Sequence, residues 1–560
     1  MKNKLLIISL LAIAFQIRAQ EVLTGLDENP SLKGMSKFTR FEPSLSKGSI
    51  ELPFFEDFSQ ASCYPNPDFW TDNVVYINNN FAVNPPSYGV ATLDAANSYG
   101  IVYPQAGENP FIADSLTSQP FRLGGFYPAD SVYMSFVYQP QGLGNAPEVH
   151  DSLILEFWSV KDTNWHTVWE VEGSPLKEFT PVFIYIGDTA HYLKNGFRFR
   201  FRNLASVAPA LAADAGMNCD HWNIDYIRID AGRTLHDTAM ADVAWLQEAN
   251  SMLVTFNEVP WKHFFQGNHL ADPELKFRNN NNIPMNVTQS VRFYKQVKTG
   301  NTTEFVEYDM FMLSDNYDAY TTNTVITPFP FEFEPYPYIT NDSAVFKVKY
   351  FLETNSTDVP QNNTIEHIQR FTDYYAYDDS TAENGYGIES ETAKFAYRFR
   401  PYTEDSLIAV KMFFNRPKDT STVNRIFHLA VWKGIDKPSR LVYVKNNCHP
   451  HYFDDYPGYY RYDLDTGIFV SMDSAIFVGW IQTTDKKLNL GFDRNKRAIN
   501  RMYYNITGEW IRSAFDTLGC TMIRPVFKNV SFPANIPGRN LLNECKVYPN
   551  PAKTEAYFEL

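Results

Sequence analysis

The residues of this chain best suited to chemistry are acidic. Asp220, Asp225 and Asp230 stand in "CDHWNIDYIRID" (Cys219–Asp230), and Glu56 and Asp57 stand in "ELPFFEDFS" (Glu51–Ser59). Carboxylates are hard oxygen ligands. Glu56, Asp57, Asp220 and Asp225, brought together from the first and last strands of one domain, would hold a structural calcium ion, and no other cofactor is required. The competing reading packs Trp222, Ile224, Tyr226 and Ile227 into a core and leaves the acids in solvent. Two carboxylates also suffice for glycosidic hydrolysis, but among 64 acids some pair always looks suitable, so the pattern selects no residue.

Two further stretches offer side chains for binding. "DDYPGYYRYD" (Asp454–Asp463) is dense in tyrosine. The flat rings of Tyr456, Tyr459, Tyr460 and Tyr462 would stack on sugar faces or anchor a protein partner; otherwise they pack a domain edge. Just before it, Cys448, His449, His451 and Asp454 in "CHPHYFDDY" carry metal-ligand atoms, though residues of these types crowded together are as well explained by a surface loop. The sequence has no G-x-S-x-G elbow, no H-E-x-x-H and no phosphate-binding loop, so no catalytic residue is assigned.

The elements that must position these residues are strands. The chain has 560 residues, 44% hydrophobic and 16% aromatic, which gives several packed domains and favours strand over helix. "SVYMSFVYQ" (Ser131–Gln139), "DSLILEFWSV" (Asp151–Val160) and "GFRFRFRN" (Gly196–Asn203) alternate with period two, and no amphipathic helix separates them. The expected fold class is all-β: tandem antiparallel sandwiches, jelly-roll over 51–231, immunoglobulin-like over 237–370 and jelly-roll-like over 373–529. A flexible lead-in (20–50) precedes them and a linker (530–545) comes after. A net charge of −15 excludes nucleic acid as a partner.

Lys2 and Lys4, the apolar run Leu5–Phe15 and the small residue Ala19 spell a secretory signal peptide over 1–19. The apolar run is too short to cross a bilayer, and no transmembrane segment is expected elsewhere. Export permits disulfides. Cys63 and Cys219 fall near the two ends of the first domain, so a bridge between them is one reading and isolated buried thiols are the other.

"VYPNPA" (Val547, Tyr548, Pro549, Asn550, Pro551, Ala552), after the linker, resembles the start of the type A C-terminal sorting domain of the type IX secretion system of Bacteroidota. "LPFFEDF", "YYAYDDSTAENGYG" and "MIRPVF" are similar to segments of large secreted and surface-associated proteins of that group. The first domain resembles the MAM/laminin-G-like jelly rolls, with "DHWNIDYIRI" as the terminal strand. The resemblance implies export through the type IX machinery to the cell surface or medium. Since only the opening of that domain (546–560) is present, a longer natural chain is also expected. The expected function is non-enzymatic: adhesion or binding of a polysaccharide or surface protein by the outer sandwiches, with the middle one as spacer. A secreted polysaccharide hydrolase and a purely structural surface or gliding-associated component are the alternatives.

Overall fold

A computed structural model describes residues 21–35, 48–59, 62–207, 216–264, 269–271, 274–299, 302–326, 342–416, 424–453, 458–496, 498–513, 515, 519–529, 546–548 and 557–559. The chain is all-β, as its alternation predicts. Its short helical elements include Pro30–Met35 and Trp261–His263.

Two sheets face each other in the first sandwich. One runs in the order Thr180–Tyr185, Tyr133–Pro140, Trp222–Asp230, Val90–Leu93, Tyr76–Asn78, with Phe54–Glu56 also paired to Trp222–Asp230. The other runs Phe111–Thr117, Phe199–Ala205, Ser152–Ser159, Asn164–Glu172. Side chains of a strand point alternately to its two faces, and "FRFRFRN" obeys this. Phe197, Phe199 and Phe201 are fully buried between the sheets, while Arg200 and Arg202 turn outward to Glu156 at 2.5 and 2.7 Å.

Strand Trp222–Asp230 breaks the alternation once. Its pairing with Tyr133–Pro140 shifts between Asp225 and Arg228, and Tyr226 has a left-handed φ of +55°. This β-bulge puts Trp222, Ile224, Ile227 and Ile229 in the core and turns Tyr226 and Arg228 outward. Tyr226 therefore leaves the core in which strict alternation places it.

The second sandwich stacks a three-stranded sheet (Val243–Trp245, Glu274–Asn279, Thr322–Ile326) on a five-stranded one (Val259–Pro260, Thr364–Thr372, Ala344–Thr354, Met285–Thr299, Thr302–Tyr317). The Val259–Pro260 pairing is parallel. Beyond it, a six-stranded sheet centred on Ala475–Gln482 packs with a three-stranded sheet around Asp405–Met412. Buried side chains of these two regions form one continuous cluster, from Val243 to Phe527. Phe256 joins them, with its ring 4.7 Å from Tyr375 and 4.6 Å from Tyr377.

Residues 21–35, expected to be part of a flexible lead-in, are instead an ordered strap. Glu21–Thr24 is a strand paired antiparallel with Asn384–Ile388 in a further four-stranded sheet of the third region. The chain then crosses to the first sandwich. There Leu26 bridges Asn218 and Glu28 bridges Ile101, and Asn29 Oδ1 accepts from the Ser31 and Leu32 amides to open helix Pro30–Met35. A four-residue strand shows no period of its own, and its partner lies hundreds of residues away, so local pattern does not reveal it.

Candidate functional site

The outer face of the first sandwich carries a cleft of about 230 Å³. Its floor is set by register. Phe183 lies opposite Ser135, Ser135 opposite Arg228, and Arg228 opposite Phe55, giving a row across four strands. The bulge adds Tyr226, whose ring meets that of Phe55 edge-on at 5.0 Å. Pro86, Val137 and Pro181 extend the apolar surface, and the segment Asp237–Met240 with Asn280 forms a wall.

That wall is braced by arginine. Arg233 donates from Nε to Asp237 at 2.9 Å and from Nη2 to Ser135 at 2.9 Å, and lies 5.9 Å over the Phe183 ring. Arg228 reaches the Ala239 carbonyl at 3.1 Å. Among the described residues Asp237 is the carboxylate lining the cleft, and both arginines bind it. The arrangement offers flat rings beside polar groups, which suits a ligand with one apolar face and a hydrogen-bonding rim. Sequence reasoning missed it because the row exists only across strands.

The four acids expected at a calcium site do not assemble. Glu56, Asp57 and Asp225 are buried, but every carboxylate oxygen has a donor. Glu56 accepts from the Phe58 amide and Trp70 Nε1. Asp57 accepts from Ser59 and, at 2.7 Å, from Asn362 Nδ2. Asp225 accepts from the Tyr226 amide and Ser87 Oγ. Burial pushes Glu56 up to about 7 and raises Asp57 and Asp225 as well. Asn362 also bonds Asp242 at 3.1 Å, so this group is a joint between the first two sandwiches. Asp230, at the strand's far end, pairs with Arg228 at 3.2 Å.

Asp220 turns elsewhere. With a left-handed φ of +56°, it lies with Glu148 and Asp151, one carboxylate oxygen of each within 4.8 Å of the others. These three could hold a metal ion. Burial is the main cause that raises Asp220 to about 9 and Asp151 to about 6. Glu148 and Asp151 sit three residues apart in "PEVHDS", but nothing local links them to Asp220.

The tyrosine loop is structural where it is described. Tyr459 donates to Asp378 and lies against Arg524, 4.0 Å from its ring centroid. Tyr460 stacks on His451 at 3.5 Å, and Tyr462 is buried with its hydroxyl on the His449 carbonyl. These rings are spent on packing and offer no free stacking face together; Tyr456 lies outside the described residues, as does Asp454. Cys448 is buried with its thiol on the Lys445 carbonyl.

Cys63 and Cys219 are free thiols in separate clusters, the first beside Leu32, Tyr64, Tyr76 and Phe81, the second beside Ala95 and Ala205. The reason is strand order. Residue 222 pairs with Leu93 and Pro140, whereas the strand nearest Cys63 in sequence pairs only at 227–229. Of "VYPNPA", Val547 and Tyr548 belong to strand Lys546–Tyr548, which pairs with Tyr557–Glu559; Pro549, Asn550, Pro551 and Ala552 lie outside the described residues. No helix among the described residues is long and apolar enough to cross a membrane.

No protein-family model and no curated protein matches the sequence. Among solved structures, the chain is similar to a Bacteroides uniformis β-glucuronidase, at 10% identity and TM-score 0.18 over 50% of this chain and 28% of that one. It is also similar to the N-terminal CBM22-1–CBM22-2 tandem domain of Paenibacillus barcinonensis Xyn10C, at 8% identity and TM-score 0.20, covering 58% and 97%. This chain thus spans less than a third of the glucuronidase, and likenesses with TM-scores this low say nothing about ligand or reaction.

Proposed function

We propose that this chain is a secreted or cell-surface binding protein whose first sandwich takes one unit of a polysaccharide in the cleft on its outer face. The observation that carries the reading is the cross-strand row Phe183–Ser135–Arg228–Phe55, widened by Tyr226. Aromatic faces next to hydrogen-bonding groups match a sugar ring, apolar on its face and polar at its edge. At about 230 Å³ the cleft is smaller than the roughly 300–1,000 Å³ of sites that engulf a whole ligand, which favours one unit of a polymer held at the surface. A short protein segment presenting a proline or aromatic side chain is the other ligand of matching chemistry. Among the described residues Asp237 is the carboxylate of the cleft and has both arginines as partners, which favours binding over hydrolysis there.

The second sandwich serves as spacer, and the signal peptide with "VYPNPA" supports export by the type IX machinery to the cell surface. Affinity electrophoresis and titration against a panel of soluble polysaccharides test the binding. Phe183→Ala and Phe55→Ala should each weaken it about tenfold or more while leaving the melting temperature nearly unchanged. Binding that neither substitution alters would place the ligand elsewhere.

A further inference from the structure

Asp151 and Asp220 are fully buried, and Glu148 joins them from the loop that connects strand Tyr133–Pro140 to strand Ser152–Ser159. In each of the three carboxylates one oxygen, Glu148 Oε2, Asp151 Oδ1 and Asp220 Oδ1, is buried without any donor. The other oxygens of the two aspartates are taken by a single residue. The Ser206 amide donates to Asp220 Oδ2 at 2.6 Å, and Ser206 Oγ donates to Asp151 Oδ2 at 2.8 Å. Among the described residues none of the three pairs with lysine or arginine, and the basic group at hand is His150, 3.9 Å from Asp151.

We propose that Glu148, Asp151 and Asp220 are the ligands of a calcium ion that ties the Asn145–Asp151 loop to the residue leading into strand Trp222–Asp230. Buried carboxylates are kept when they are paired or when they coordinate a metal, and among the described residues the one basic partner of the three is the exposed His150, 3.9 Å from Asp151. The donor set is all oxygen. The nearby Cys219 thiol is occupied with the Ser206 carbonyl at 3.3 Å and His150 Nε2 with Ser206 Oγ at 3.0 Å, so neither is free as the sulfur or nitrogen ligand zinc favours. Three carboxylates, each binding through one or two oxygens, suit the variable coordination of calcium better than the strict octahedron of magnesium.

The cage is already in place around the ion's position. Asn145 Oδ1 accepts from the Asp220 amide at 3.2 Å, and the His221 amide donates back to the Asn145 carbonyl at 3.1 Å. The Asp151 amide donates to the Glu148 carbonyl at 2.9 Å, closing a tight turn that carries both loop ligands. This site is distinct from the Glu56–Asp57–Asp225 joint, whose oxygens all have donors.

The test uses the full chain stripped with chelator and titrated with calcium chloride to a few millimolar, the range of extracellular calcium modules. Calorimetry should show one site that is lost, or weakened by about tenfold or more, in both Asp220→Asn and Glu148→Gln. Thermal unfolding should show a calcium-dependent rise in melting temperature in the parent chain alone, larger than with magnesium. Glu148→Gln alters a partly exposed loop residue, so it keeps the test valid should Asp220→Asn fail to fold. Absence of calcium binding overturns the proposal. So does binding that persists unchanged in the variants, or an equal rise with magnesium.

Discussion

Asp378 and Asp220 are both fully buried aspartates in loops leading to sheets, yet they are solved in opposite ways. Asp378 lies against Arg524, whose Nε donates to its Oδ2 at 3.3 Å and whose Nη2 donates to its Oδ1. Tyr459 and the Ser380 amide complete the shell. Asp220 has the Ser206 amide on one oxygen and nothing on the other, with two further carboxylates beside it. The chain supplies its own cation in one place and leaves it out in the other. A buried ionised carboxylate needs a positive partner: Asp378 has one in Arg524, and at Asp220 the proposed calcium ion would supply it.

The sharpest way to break this contrast is to remove the internal cation. Arg524→Met should cost about 3–5 kcal/mol in chemical denaturation, because Asp378 is left buried without its cation, and adding Asp378→Asn should recover much of it. Asp220→Asn, measured in chelator, should cost little or even stabilise, since it relieves crowding among three acids. If the two single variants cost the same, the distinction fails.

A smaller effect should come from the N-terminal strap. Glu21 is buried beside Tyr386, whose hydroxyl donates to it at 2.5 Å, and burial pushes its carboxyl up from 4.5 to about 7. A folded value above the unfolded one means the folded chain holds the proton more tightly. The stabilisation is complete below pH 4.5 and drains away as pH rises through about 7. Glu21→Gln should therefore remove one share of the fall in melting temperature between pH 5 and 8, at most about 3 kcal/mol of pH dependence, with other buried acids such as Glu56 supplying the rest. A pH profile indifferent to this substitution would show that the strap is not held through Glu21.

A further modest effect should come from the joint between the first two sandwiches. Asn362→Ala removes the amide that donates to both Asp57 and Asp242. It should cost about 1–3 kcal/mol and loosen the angle between the sandwiches, visible as a broader distance distribution by small-angle scattering. An unchanged profile would mean the shared apolar contacts set that angle.

Much of the fold was legible in advance. "FRFRFRN" declared one aromatic and one polar face, and the structure buries Phe197, Phe199 and Phe201 accordingly. "SAIFVGWIQ", a continuous apolar run, is the buried central strand Ala475–Gln482. The candidate sites were only half legible: Asp220 and Asp225 of "CDHWNIDYIRID" and Glu56 and Asp57 of "FFEDF" are buried, but they divide between two centres, and Asp230 pairs with Arg228 apart from both. The tyrosine loop allowed either a stacking platform or edge packing, and its described rings, Tyr459, Tyr460 and Tyr462, pack, because tyrosine content does not say which way a ring faces.

By itself, the sequence determined class and rhythm, since period-two alternation is a local property fixed by side chains two residues apart. Tertiary structure alone decided the rest. It set the bulge that turns Tyr226 into the cleft, the partner of Glu21–Thr24, the continuous core of the last two regions, and the meeting of Asp220 with Glu148 and Asp151. Each of these depends on which distant strands become neighbours. That choice is made by the burial of whole faces, and no short stretch of chain records it.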